Sequence, residues 1–429
     1  MKNFTLFLLA ITIIAASCRD NDNAAVREVR IKGQTLTEIH IDNIPSEVVR
    51  MNLSDLFTDF SIIPLETSDQ SLIGAYNKRV KITDEDIFFG FHGMDKPAIL
   101  LRFDRSGNFL NRIGTGGRGP GEHASSDVHA IIPDEERKRV TVEWFGLVNE
   151  GPKTYNYDGT FIESIRNPMI LLYGFYKWGE GEWFSCGSAS GNIQYERDSL
   201  LVVFYNNNGE VTDRIPRKVY PYPVSNGYTP GTGIIVHRYK GNYKIFSPES
   251  DTVYILSKEK LTPADVIHRG KDAMPYNKYV DPQSVTGKHD IKIVAETDNN
   301  YILTKRVVTK ANIREYMPGI WGGSFEADNS LIVADKRRRT AAVIEFVDDV
   351  FGIIPEKSNY EFSLMNSLED GRVSYPIDAI TFLKMAGEAG VELKDLAKFS
   401  VSPERLLALT SDSNPVILTF TLKDNIRIE

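Results

Sequence analysis

Three stretches of the chain repeat one pattern of apolar and polar positions around a glycine. They are Leu101-Arg102-Phe103-Asp104-Arg105-Ser106-Gly107-Asn108-Phe109-Leu110, Thr154-Tyr155-Asn156-Tyr157-Asp158-Gly159-Thr160-Phe161-Ile162, and Val203-Phe204-Tyr205-Asn206-Asn207-Asn208-Gly209-Glu210-Val211. In each, aromatic or β-branched residues lead into Asp or Asn, then Gly, then apolar residues again. That order predicts a β-hairpin: the glycine takes the positive-φ position and the Asp or Asn side chain stabilises the turn. The glycines stand at 107, 159 and 209, so the spacings are 52 and 50 residues. A fourth hairpin, lacking the Gly, is predicted at 251–256 turning through 257–260. A fifth is predicted at 330–335 turning through Lys336-Arg337-Arg338-Arg339 into 342–346, and a last strand at 415–422.

Repeats of this length built from short strands predict a β-propeller, with each repeat forming one four-stranded antiparallel blade. A single blade cannot bury both of its faces, so blades must stack in a ring. At about 60 residues per blade the body of the chain accommodates six, with seven as the alternative. An array of sandwich domains is the rival architecture, but it does not explain one hairpin recurring at a near-constant period. The segment 59–66 reads as a strand without a hairpin of its own. It is expected to pair in the blade that holds 416–422, so that the N-terminal strand closes the last blade. Between the two ends, residues 377–399 (IDAITFLKMAGEAGVELKDLAKF) have helical composition and spacing with a Gly break, which predicts a small helical insert near the C-terminus.

Composition narrows the class. The 429 residues are 41% hydrophobic and 25% charged, ordinary for a globular chain and unlike a disordered one. The net charge of −8 has the wrong sign for a nucleic-acid binder. Lys2 precedes an uncharged run from Phe4 to Ser17, 14 residues long. That is too short to span a bilayer, which takes roughly 20 residues, and it fits a secretory signal. The run ends in Ala15-Ala16-Ser17-Cys18, which resembles a bacterial lipobox. Cys18 is therefore the expected lipid anchor; an ordinary signal peptide with an incidental Cys is the alternative. The resulting division is 1–17 signal peptide, 18–45 tether and N-terminal extension, and 46–429 a single propeller domain. The polar, acidic residues 19–23 resemble an export tag for the outer face of the outer membrane. The expected location is the cell envelope, as an outer-membrane lipoprotein. The only other cysteine, Cys186, sits in a strand-like context and reads as a buried small hydrophobe.

Several stretches resemble the six-bladed β-propeller lipoproteins of gut-type Gram-negative anaerobes, a family loosely related to NHL and TolB-like propellers. They are 60–67 (FSIIPLET), 100–114 (LLRFDRSGNFLNRIG), 117–123 (GRGPGEH), 246–254 (FSPESDTVY) and 413–418 (SNPVIL). His123 stands where an aromatic residue is commoner in that family, and 272–330 align poorly. The resemblance implies fold and location and assigns no activity.

Candidate chemistry is sparse. Residues 114–119 match G-x-G-x-x-G, but Pro120-Gly121 follows at once and no helix pattern opens there, so a nucleotide fingerprint is excluded. The stretch reads as a tight inter-blade loop on which Arg118, Glu122 and His123 are candidates to face a ligand; the competing role is to be solvated or to pin the loop. The seven histidines, at 40, 92, 123, 129, 237, 268 and 289, show no compact ligand spacing. No metal or other cofactor is implied, and a site assembled by the fold from distant blades is invisible at this level. Trp144, Tyr222, Tyr228 and Trp321 lie beside Gly or Pro or at strand ends and are candidates to stack on a ligand; the competing role is to fill gaps between blades. Two functions follow. One is a non-catalytic binding or scaffold lipoprotein presenting its loop face to a glycan, peptide or protein. The other is an envelope lyase or hydrolase acting on glycans at the propeller channel.

The lipobox carries a direct test. Cys18→Ala should move the protein from membrane to soluble fractions; unchanged partitioning would exclude the lipid anchor.

Overall fold

In the computed structural model, residues 24–428 are described except 32, 75, 94–95, 146–150, 167–172, 187–199, 217–233, 248–249, 276–281, 318–319 and 356–367. Six four-stranded blades follow one another along the chain, and in all but the last the four strands neighbour one another in sequence order. Blade I holds Tyr76–Ile82, Asp86–Gly93, Lys96–Asp104 and Phe109–Ile113. Blade II holds Asp127–Asp134, Arg139–Phe145, Lys153–Asn156 and Phe161–Ser164. Blade III holds Tyr173–Gly179, Glu182–Cys186, Leu200–Asn206 and Val211–Pro216. Blade IV holds Ile235–Tyr239, Asn242–Phe246, Thr252–Leu256 and Leu261–His268. Blade V holds His289–Glu296, Asn300–Met317, Ile320–Asp335 and Thr340–Val347. Blade VI holds Leu368–Glu369, Arg372–Ile377 and Val416–Leu422, and its fourth strand is Phe57–Pro64 from the N-terminal end. The expected closure is therefore observed, with Ile63 opposite Ile417 and Pro64 opposite Val416.

The ring is held by apolar clusters at its six junctions. Phe88, Leu100 and Ile113 meet Val128, Val142 and Trp144 between blades I and II. Ile165 meets Phe175 and Trp183 between II and III, and Phe184 and Phe204 meet Ile245 and Leu256 between III and IV. Val253 and Ile267 meet Ile291 and Leu303 between IV and V, and Ile302 and Val333 meet Phe57, Val373 and Phe420 between V and VI. Ile63, Leu65 and Ile417 meet Ile87, Phe89 and Leu101 at the last junction, from VI back to I. Strands covered on both faces lose the alternating pattern: Leu200–Tyr205 is buried without interruption.

The repeated glycine has two tasks. Gly107, Gly159 and Gly209 have φ of 80°, 92° and 80°. Asp104, Asp158 and Asn206 each accept backbone N–H groups of their own turn. Each glycine also lies against the preceding blade. A Cβ would stand 2.6 Å from the carbonyl oxygen of Pro64 at Gly107, 2.7 Å from that of Arg112 at Gly159 and 2.8 Å from that of Arg166 at Gly209.

The chain before blade I is more ordered than the sequence suggested. Residues 18–45 were expected to lie outside the propeller, yet Val26–Ile31 and Gln34–His40 form a hairpin that extends blade IV. Its second strand pairs in parallel with Leu261–His268. Next, Val48–Asn52 pairs in parallel with the fourth strand of blade V, and Phe57–Pro64 then enters blade VI. This strap covers outer edges that would otherwise present unpaired backbone groups. The helical insert is observed between the second and third strands of blade VI, with helices Ala379–Ala389, Leu393–Leu396 and Pro403–Leu407. It covers the outer edge of Phe57–Pro64, where Val401 donates its N–H to the carbonyl of Ile62. One feature was not expected: the second and third strands of blade V run on as a long hairpin, paired as far as Met317 and Ile320.

Gly159→Ala and Gly241→Ala separate the two tasks. Both residues have positive φ, but nothing lies within 4 Å of a Cβ at Gly241. Gly241→Ala should destabilise by about 1–2 kcal/mol for the left-handed backbone alone. Gly159→Ala should lose roughly 1–3 kcal/mol more, from overpacking against Arg112. Equal losses in denaturant unfolding would show that the inter-blade approach carries no energy.

Candidate functional site

Of the residues expected to face a ligand, two are core. The glycine-rich loop folds back on itself: the N–H of Gly119 donates to Glu122 Oε2 at 2.7 Å, and that of Gly117 to the carbonyl of His123 at 3.0 Å. This turn directs His123 inward, where it is fully buried. Its ring stacks on Trp144, with centroids 3.6 Å apart and planes 10° apart. Trp144 is 5% exposed and packs in the cluster between blades I and II. Burial thus overturns the expectation for both residues, and Trp144 takes the gap-filling role. Arg118 stays exposed at the loop tip. Trp321 lies on the long hairpin of blade V, in register with Glu315, and its side chain is outside the described residues. Tyr222, Tyr228 and Cys18 also lie outside the described residues. Cys186 is buried, as expected of a small hydrophobe.

Polar groups from several blades reach the axis of the ring, where the first strands of neighbouring blades touch. Lys81 of blade I contacts Glu369 at 2.9 Å and Asp370 at 3.3 Å, both of blade VI. Burial alone would depress the Lys81 pKa, but the two carboxylates outweigh it and raise it. In blade II, His129 Nδ1 is 2.8 Å from Glu143 Oε2, and that hydrogen bond raises the His129 pKa. The Tyr243 hydroxyl of blade IV donates to the Lys177 carbonyl of blade III at 2.7 Å.

A denser network joins blades IV and V. Glu296, 1% exposed, meets Lys336 at 2.6 Å, Lys244 at 2.8 Å and His237 at 3.2 Å. Lys244 also contacts Asp265 at 3.2 Å, and the Tyr301 hydroxyl donates to the same carboxylate. Burial pushes the Glu296 pKa up, but the His237 hydrogen bond and the two ammonium charges prevail and bring it to about 2. Two lysines balance two carboxylates across the junction, so the network acts as a blade-to-blade clamp.

That clamp sorts the basic turn 336–339. Lys336 is drawn inward to Glu296, and Arg339 pairs with Glu28 of the strap at 2.8 Å. Asp335 Oδ1 accepts the N–H groups of Arg337 and Arg338 at 2.9 and 2.8 Å, which fixes the turn. The side chains of Arg337 and Arg338 make no ion pair among the described residues. They line a cavity of about 260 Å³ together with Asp335, Asn425 and Arg427. The buried side chain of Asn300 holds the C-terminal tail there: Oδ1 accepts the N–H of Ile426 at 3.0 Å, and Nδ2 donates to its carbonyl at 3.1 Å. Three arginines therefore line one cleft with one acidic residue, and that residue's carboxylate already accepts backbone N–H groups.

A family model described as "Domain of unknown function (DUF4934)" matches residues 36–421. No curated protein matches the chain. Among solved structures, a Bacteroides fragilis protein described as a "Putative exported protein" aligns with 88% of this chain and 100% of its own, at TM-score 0.56 and 15% identity. A Bacteroides vulgatus member of the DUF4221 family aligns with 86% of this chain and 98% of its own, at TM-score 0.45 and 12% identity. The first of these likenesses is one of fold. Among the described residues no helix is long and apolar enough to cross a membrane.

The role given to Trp144 is measurable. Trp144→Ala should destabilise the protein by about 3–5 kcal/mol, as truncation of a large buried ring does. Arg118→Ala should stay within about 0.5 kcal/mol of wild type. Equal unfolding midpoints for the two variants would return Trp144 to the surface candidates.

Proposed function

The chain belongs to the DUF4934 family, and from that premise we propose that it is an exported binding propeller of the cell envelope, anchored by lipid at Cys18 and taking up an acidic glycan at its rim. The observation that carries the ligand class is the cleft lined by Arg337, Arg338 and Arg427. A guanidinium offers a planar fork of donors that matches carboxylate, sulfate or phosphate oxygens two at a time. Three arginines around one cleft outnumber its single carboxylate, Asp335, so the cleft favours an added anion. The cavity is near the small end of ligand pockets, which span about 300–1,000 Å³, so it suits one charged sugar unit of a longer chain. The remainder of the glycan would extend beyond the cleft, and Arg118, Tyr222, Tyr228 and Trp321 stay candidates to contact it. The short apolar run before Cys18 supports export and anchoring.

A second reading is a glycan lyase or hydrolase acting in the channel. The His129–Glu143 pair favours it, because a carboxylate-supported imidazole can move a proton.

The test is an array of neutral, uronic-acid and sulfated glycans probed with purified protein. Binding confined to acidic chains, weakening with added salt, is expected. Arg338→Glu and Arg427→Glu should each weaken it at least tenfold, in keeping with about 1.5–3 kcal/mol for a hydrogen bond to a charged group. Binding of neutral chains, or acidic binding that ignores both substitutions, would refute the cleft.

A further inference from the structure

The strap that extends blade IV also assembles three metal-binding side chains that lie far apart in the sequence. Glu38 and His40 are two residues apart on the strand Gln34–His40, so they share one face of it. The parallel register sets His40 opposite His268, at the end of the outermost strand of the blade proper. The two imidazoles stack with centroids 4.3 Å apart and planes at 23°. Glu38 reaches both rings: Oε2 is 3.3 Å from His40 Nε2, and Oε1 is 3.7 Å from His268 Nε2. One ligand atom from each of the three side chains lies within 4.8 Å of the others.

Two further observations point to an ion. His268 Nε2 is shielded from solvent and has no hydrogen-bond partner. A buried polar atom left so is destabilising, and a coordinate bond would satisfy it. Two of the three side chains also have a charged group behind them, the place outer partners of metal ligands take. Arg27 Nε holds Glu38 Oε2 at 2.8 Å, and Asp251 Oδ2 stands 3.8 Å from His268 Nδ1. Asp251 is itself held by Arg269 at 2.8 Å.

We propose that Glu38, His40 and His268 bind one divalent transition-metal ion of the zinc type, which clasps the N-terminal strap to blade IV. Two imidazoles and one carboxylate suit zinc, cobalt, nickel or copper better than calcium or magnesium, which prefer all-oxygen shells. On binding, His40 Nε2 exchanges its contact with Glu38 for the ion, while Arg27 stays on the carboxylate. Three protein ligands leave a fourth position for water or for an acidic group of a ligand.

Purified protein, stripped by a chelator and dialysed, would be titrated calorimetrically with Zn²⁺ and Co²⁺ and melted with and without Zn²⁺. One ion per chain is expected, with a higher melting midpoint and visible Co²⁺ absorption typical of a nitrogen–oxygen site. His40→Gln and His268→Gln should each weaken binding at least tenfold and abolish the Zn²⁺-induced rise in melting, with metal-free melts matching the wild type. His92→Gln should bind as the wild type does. Absence of saturable binding to the wild type would overturn the proposal. So would undiminished affinity in both His40→Gln and His268→Gln.

Discussion

Everything in this fold depends on one constraint: a blade is apolar on both faces and needs a neighbour on each. Leu200–Tyr205 shows the consequence most plainly, since a strand with no polar face cannot lie at the end of a stack. A linear array would leave two such faces in water, with a loss of roughly 25 cal/mol for each Å² of apolar surface exposed. Closing the ring removes both ends at once. The junction that closes it, Ile63 and Ile417 against Ile87 and Phe89, is built from residues near opposite ends of the chain. The repeated geometry of the glycine turns serves the same end, because their close approach to the preceding blade sets how near the sheets can come.

Stacking faces solves only half of the packing problem, because the outermost strand of each blade still presents an unpaired edge. On three successive blades this protein covers that edge with added chain. The N-terminal strap pairs along blades IV and V and becomes the outer strand of blade VI, and the helical insert then lies over that strand. The strap is held by more than backbone pairing. Arg339 of blade V reaches Glu28, the N–H of Thr37 donates to Asp265, and Glu38 and His40 meet His268. The segment that would join the propeller to a lipid at Cys18 is thus the same one that ties three blades together at the rim.

The basic turn shows how a buried charge network can define a surface. Glu296 draws Lys336 into the junction of blades IV and V, Glu28 takes Arg339, and the two arginines between them face the cleft. Asn300 adds Arg427 by gripping both backbone groups of Ile426. A run of four basic residues is thereby divided into a clamp, a strap contact and a pair of arginines that line the cleft.

What the sequence determined was local. The Asp or Asn and Gly of each hairpin stabilise a turn through residues two to four positions apart, so the repeat, its period and the strands around it were legible, as was the helical insert. The pairing of 59–66 with 416–422 could be inferred because a ring leaves an orphan strand at each end. Tertiary structure alone decided the rest. Trp144 reads as an aromatic at a strand end whether it faces solvent or blade I, and only the turn of Gly117–Glu122, which brings His123 onto it, buries it. His40 and His268 are separated by most of the propeller, and Glu296 and Lys244 lie on different blades. No spacing rule links such residues, because the contacts between them are made by strand register and blade stacking, which bring together side chains whose separation along the chain carries no information about their separation in space.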